Sequence, residues 1–280
     1  MQLIGHTMAT PGRTAKESVA LFAELGFAGT ELVCREGMAL PPDTPLAEAR
    51  DIADFARARH CPILTITPYA WEINSADSEV AETHRQLLRR ACDLAATMGA
   101  RFVRAYGGKE APAGDETVAW TRTVAALRNI APYAAARELT ILVENHPGTM
   151  TRSGTTTRCL VDEVNQPNLR ALYDPANVLD DTDEPWETTL ASQEGIIAYV
   201  HVKDFAIANG ERQACCVGDG IVPWSQILPR LRDTGFTGCL SFEYEKMWHP
   251  TQLPEPEVGL RRSADFVRRV LGAAETCELP

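Results

Sequence analysis

Nowhere in the 280 residues does an apolar run approach the roughly 18 uninterrupted positions that cross a bilayer, so no membrane-spanning segment is expected. The opening stretch, MQLIGHTMATPGR, has neither the basic start nor the apolar core of a secretion signal, and a cytoplasmic protein is expected. No framework spacing links the eight cysteines (34, 61, 92, 159, 215, 216, 239 and 277), which read as reduced thiols rather than a disulfide scaffold. Positive charge is scarce. The 27 Lys and Arg against 38 Asp and Glu leave −11, which repels a phosphate backbone and argues against nucleic acid as a partner. No glycine-rich dinucleotide loop follows the first apolar run, and the Gly218-Asp219-Gly220 turn is too short to hold a nucleotide. That turn reads as the lead into a helix.

What is present is ordinary globular composition, 45% hydrophobic and 23% charged, arranged in a regular alternation. Short β-rich runs fall at 2–5, 29–33, 63–67, 101–105, 139–143, 169–173, 196–202 and 238–242. Helical patterns separate them at 14–25, 45–59, 77–98, 115–137, 155–164, 223–233 and 254–271, with a weaker one near 185–191. Starts on Asp, Thr or Pro and stops on Gly are the usual helix punctuation. Eight strands alternating with helices and no linker imply one parallel sheet, and the count favours closure into a (β/α)8 barrel, a TIM barrel. The expectation is a single domain over 1–280, with a Pro-rich loop and helix at about 248–272 packing on it.

In such a barrel the chemistry collects where the strands end. The stretch TILVENHPG (140–148) ends an apolar strand on Glu144, Asn145 and His146. The next strand ends at Asp174 in LRALYDPANVL, the seventh carries His201 and Lys203 in AYVHVKDF, and the eighth ends at Glu243 in GCLSFEYE. Any one of these acids reads as readily as a helix N-cap. Four at matching heights on successive strands read better as a ring. Three carboxylates in one cleft repel unless compensated, and one divalent cation supplies the compensation, with Mn2+ foremost and Mg2+, Co2+ or Zn2+ compatible with the donors. The expected ligands are therefore Glu144, Asp174, His201 and Glu243.

A cation gripping a carbonyl and a neighbouring hydroxyl makes the proton between them removable, and a carboxylate on each face can take and return it. Return to the other face epimerises, return to the next carbon isomerises, and loss of a β-substituent eliminates. Lys203 shares a face with His201 and is expected to contact substrate oxygens or assist proton transfer, with an ion pair to a carboxylate as its structural alternative. His146, Arg104, Glu31 and His6 are further substrate-binding candidates, each with a packing or salt-bridge alternative. Trp71, with Tyr69 and Trp248, is expected to supply an apolar wall, Asp204 to shape a loop, and His60 and His84 to lie on helices away from the site.

The segments GFAGTEL (26–32), LVENHPGT (142–149), YDPANVL (173–179), YVHVKDF (199–205), VGDGIVPWSQIL (217–228) and GCLSFEYE (238–245) together resemble the xylose-isomerase-like barrel family of sugar-phosphate isomerases and epimerases. That family includes ketose 3-epimerases, inosose dehydratases and, more remotely, endonuclease IV. The resemblance implies Glu144, Asp174, His201 and Glu243 as metal ligands, with Glu144 and Glu243 doubling as the acid–base pair. Epimerases of the family often carry His three residues after the strand-six Asp; this chain has Asn177 there, a further substrate-binding candidate. The leading expectation is a metal-dependent isomerase or epimerase of a small keto sugar or derivative. The alternative is a lyase at the same site, dehydrating an inosose or keto-cyclitol or eliminating from a 3-oxo-glycoside. A binding subunit or an abasic-site nuclease fits the intact acid ring and the net charge of −11 less well. A small sugar is the expected partner, and the WHPTQLPEPEVGL segment could meet a second copy or partner subunit.

Overall fold

The computed structural model describes residues 1–275; Cys277 lies outside them. In chain order the strands are β1 (Gln2–His6), β2 (Gly29–Cys34), β3 (Ile63–Pro68), β4 (Phe102–Tyr106), β5 (Thr140–Glu144), β6 (Leu169–Tyr173), β7 (Ile197–His201), an inserted hairpin of β8 (Asp204–Ala208) and β9 (Glu211–Cys215), and β10 (Cys239–Phe242). All but the hairpin close into one parallel barrel in which β1 pairs with both β2 and β10. The helices are α1 (Ala15–Glu24), α2 (Leu46–Ala58), α3 (Ser78–Met98), α4 (Glu116–Ala135), α5 (Gly154–Val164), α6 (Pro175–Asp181), α7 (Trp186–Gln193), α8 (Trp224–Asp233) and α9 (Pro256–Glu275). Among the described residues no helix is long and apolar enough to cross a membrane, and no two cysteines are paired.

Local chemistry sets the boundaries. Thr14 and Glu17 form a reciprocal capping box at α1, Asp77 accepts from two amides at α3, and Gly99 takes the left-handed conformation that stops α3. Period-two alternation then sorts the strand residues. Ile4, Leu64, Leu142, Leu172, Tyr199 and Cys239 form one apolar cluster inside the barrel. Two residues beyond five of these, all but Leu64, stand His6, Glu144, Asp174, His201 and Ser241, all fully buried. The barrel therefore has a greasy floor and a polar storey above it. Burying each Leu or Ile of that floor stabilises by about 1.5–3 kcal/mol, which offsets part of the cost of the charges overhead.

Three features depart from the sequence reading. The chain after β7 folds into the β8–β9 hairpin instead of running straight to α8, turning at Asn209 and Gly210 with φ of 55° and 79°. Asp174 starts a short helix, α6, with Pro175 at its first position. His60 is not helical: it follows α2 in a turn, with φ of 54°.

Candidate active site

The polar storey is built around His201. Its Nδ1 lies 3.2 Å from Glu144 Oε1 and 3.5 Å from Glu243 Oε1, and its Nε2 lies 3.2 Å from Glu31 Oε1. Glu144, Asp174, His201 and Glu243 each bring one ligand-type atom to within 4.8 Å of the others. A second such group joins His6 to His201 and Glu243. The four expected ligands thus converge, although they come from four strands.

Arg104 and Lys203 compensate the carboxylates, Arg104 at Glu144 and Lys203 shared between Glu243 and Asp174. Arg104 donates to Glu144 Oε2 at 2.6 Å and to the Pro68 carbonyl at 3.1 Å, with its guanidinium 3.9 Å from the Tyr106 ring. Lys203 donates to Glu243 at 2.6 Å and stands 3.0 Å from Asp174 and 3.4 Å from Glu245. Burial works against ionising Glu144, but Arg104, His146 and His201 outweigh it and hold the carboxyl well below its usual range. Glu243 is likewise opposed by burial, yet Lys203 and His201 bring it down to about 2. Burial, aided by Glu243 and Glu144, pushes Asp174 up to about 6 against the pull of Lys203. Burial also disfavours the Lys203 ammonium, and Asp174, Glu243 and Glu245 more than reverse it.

The donor set fits a divalent cation. Three carboxylates and an imidazole are hard and borderline ligands in one cluster. Asp174 supplies the test: its Oδ1 accepts from the Asn177 amide as the cap of α6, while the buried Oδ2 has no hydrogen-bond partner, Lys203 being out of line. One oxygen of Asp174 therefore caps a helix and the other is left for the site.

Above the storey opens a cavity of about 370 Å3, walled by Tyr69, Trp71, Arg104, His146, Lys203 and Glu243, with Asn177 and Trp248 also at its edge. Trp71 stacks on Tyr106 at 3.8 Å, and both present edges to His146 at 4.9 and 5.1 Å. Two larger hollows, about 520 and 600 Å3, open among the surface loops, but none of their charged groups is buried. Asn177 donates to Glu144 Oε1 at 3.3 Å and to the Asn145 carbonyl at 3.1 Å. Asn145 in turn donates to the Asp174 carbonyl at 2.6 Å and accepts from the Asp174 amide at 3.0 Å. The Glu-Asn-His triplet thus divides its work: Glu144 joins the ring, Asn145 ties β5 to the end of β6, and His146 walls the cavity.

Of the remaining candidates, His6 and Glu31 are fully buried and do not border the cavity. Trp248 is 47% exposed, with Arg35 at 5.6 Å from its ring. His84 lies on α3, away from the site. The Asp204 carboxylate accepts from four backbone amides, those of Phe205, Gly218, Gly220 and Val222, so it shapes the loop that carries the Gly-Asp-Gly turn. Among the cavity-lining residues that sequence reasoning missed are Tyr106, Asp180, Arg212, Glu245 and His249. Arg212, from the hairpin, bonds Asp180 at 3.0 Å and Glu245 at 3.2 Å across the mouth. Glu245 was within reach of the two-residue alternation from Glu243, and the Asn-Gly pair signals the hairpin that carries Arg212.

Solved structures of the same fold cover nearly the whole chain at low identity. D-allulose 3-epimerase from Methylomonas sp. is 17% identical with a TM-score of 0.79, covering 96% of this chain and 98% of its own. The 3-keto-D-glucoside 4-epimerase from E. coli is 14% identical, TM-score 0.74, covering 99% and 100%. The probable 3-DHS dehydratase of Bacillus anthracis is 20% identical, TM-score 0.77, covering 96% and 99%. Such identities establish the shared fold and nothing finer. No curated protein sequence matches. The model of one family, the xylose isomerase-like TIM barrel, matches residues 19–270, and the chain belongs to that family.

Proposed function

We propose that the protein is a metal-dependent isomerase or epimerase of a small keto sugar or sugar derivative. One observation carries the reading: Glu144 and Glu243 flank His201, each ionised by its own cation, and Glu243 with Arg104 and Lys203 borders a sugar-sized cavity. A carboxyl held to about 2 is always charged but takes protons weakly, so the C–H it attacks needs to be acidified. A divalent cation held by Glu144, Asp174, His201 and Glu243 would supply that by drawing electrons from a carbonyl and its neighbouring hydroxyl. Glu144 and Glu243 then remove and return the proton, one from each face. Trp71 and Tyr106 orient the sugar and exclude water, and Arg104 and Lys203 keep the two carboxylates charged.

Lys203 favours a second reading. Its ammonium borders the cavity and can protonate a departing β-hydroxyl or alkoxy group, which would make the enzyme a lyase acting on an inosose or a 3-oxo-glycoside. Incubation of the cation-loaded protein with ketoses, inososes and 3-oxo-glycosides separates the two. A new ketose on chromatography supports the epimerase, an ultraviolet-absorbing enone supports the lyase, and no turnover across the panel refutes both.

A further inference from the structure

We infer that Glu31 is a positioning residue, which holds His201 so that Nδ1 faces the carboxylate ring and itself touches neither sugar nor cation. The inference rests on the proposed cation site. An imidazole has two nitrogens, and whichever faces a carboxylate as a donor fixes the role of the other. His201 Nε2 stands 3.2 Å from Glu31 Oε1, whereas Nδ1 stands 3.2 Å from Glu144 and 3.5 Å from Glu243. With a cation in the ring, Nδ1 would give up its proton while Nε2 kept its own toward Glu31, so the Nδ1 lone pair would be the one presented.

Glu31 engages His201 through Oε1 alone, its Oε2 having no hydrogen-bond partner, and it belongs to neither cluster of ligand-type atoms. It is 0% exposed and, unlike Glu243 and Lys203, does not border the cavity. Its Oε1 also accepts from the Thr67 hydroxyl on the neighbouring strand. His6 Nε2 lies 3.4 Å from the same oxygen, off line for a hydrogen bond. The tautomer of His6 is fixed as well: its Nδ1 accepts from the Met8 amide at 3.1 Å, so Nε2 carries the proton and turns a positive edge to Glu31. The two histidine rings meet edge-on, 5.4 Å between centroids at 90°, and Tyr199 braces His201 from another side at 6.1 Å. Turning the His201 ring over would strip Nε2–H from Glu31 and point a C–H at the ring of carboxylates.

The direct test is long-range proton–nitrogen NMR of the histidines in the zinc-loaded full chain. The expected result is a zinc-shifted His201 Nδ1 with Nε2 protonated. Zinc on Nε2, or zinc uptake with both His201 nitrogens unmoved, overturns the inference while leaving a cation site. No zinc uptake by the wild-type chain would sink the cation reading and this inference with it. Variants supply a second line. Glu31→Leu should weaken zinc binding about 10–100-fold and scramble the Nδ1 pattern, and Glu31→Gln, which keeps an acceptor oxygen, should restore the pattern. Wild-type zinc affinity in Glu31→Leu refutes the role. A raised KM with unchanged zinc binding in Glu31→Gln would make Glu31 a sugar contact instead.

Discussion

Replacing Arg104 by Met tests how the active-site charges are kept in place. Arg104 and Glu144 are both essentially inaccessible to solvent, and the guanidinium is the strongest favourable neighbour of that carboxylate. Met fills a similar volume but leaves Glu144 charged and short of a partner. Breaking a buried pair in this way costs about 3–5 kcal/mol, equivalent to roughly 6–20 °C in melting temperature for a chain of this size. Urea unfolding in the presence of a chelator, so that no cation contributes, is the appropriate assay. The sign of the pH dependence is an internal control. In the wild type the Glu144 pKa is depressed, so its stabilisation is complete above the unfolded value and fades as pH falls through the folded one. In Arg104→Met burial dominates and raises the pKa, so protonation stabilises the folded variant and its deficit should shrink between pH 7 and pH 4. The double variant Arg104→Met/Glu144→Gln removes the stranded charge and should recover about 1–3 kcal/mol of the loss. Strictly additive single and double variants, or a deficit that grows on acidification, would refute the reasoning.

Three further expectations follow from the same geometry. Glu144→Gln and Glu243→Gln should each lower turnover by about two orders of magnitude or more while retaining cation; for an epimerase, one variant should still exchange the α-proton with deuterated water, and near wild-type rates in both would discard the two-carboxylate mechanism. His201→Ala should lower bound divalent ion from about one per chain, and added cation should raise the wild-type melting midpoint in a single transition; unchanged metal content in the variant removes His201 from the ligands. Gly220→Ala places a Cβ 2.1 Å from Asp204 Oδ1 and 2.4 Å from the Phe205 carbonyl, so the clamp on the loop has to open; a loss of about 1–3 kcal/mol in thermal unfolding is expected, and full stability would show that the clamp yields freely.

The barrel strands were legible because each is a short β-rich run bounded by helix signals, and closure followed from their number. Glu144, Asp174, His201 and Glu243 were legible because each ends or sits within such a run, so alternation alone puts them on one side of the sheet. Pairings were not. Nothing local links Glu31 to His201, 170 positions away, or marks Lys203 as shared among Asp174, Glu243 and Glu245. Those contacts exist only once the barrel closes. The hairpin and α6 escaped for a different reason. Ala-Asn-Gly-Glu and Asp-Pro-Ala-Asn each carry a recognisable local sign, an Asn-Gly turn and a Pro at the first helical position, but α6 is too short for periodicity to register and the β9 strand ERQAC has no β-branched or aromatic residue.

The β8–β9 hairpin is held at its base and at the mouth of the cavity. Asp204 pins its base through backbone amides, and Arg212 fastens it to Asp180 and Glu245 at the mouth. Between them the tip at Asn209 and Gly210 is free of the barrel ladder, so residues inserted there would leave every strand register intact. A lineage could therefore retailor the entrance to admit a longer or more highly charged sugar without touching the proton-handling groups below. The same separation offers an engineer a place to graft new specificity, with Arg212 as the natural first position to randomise.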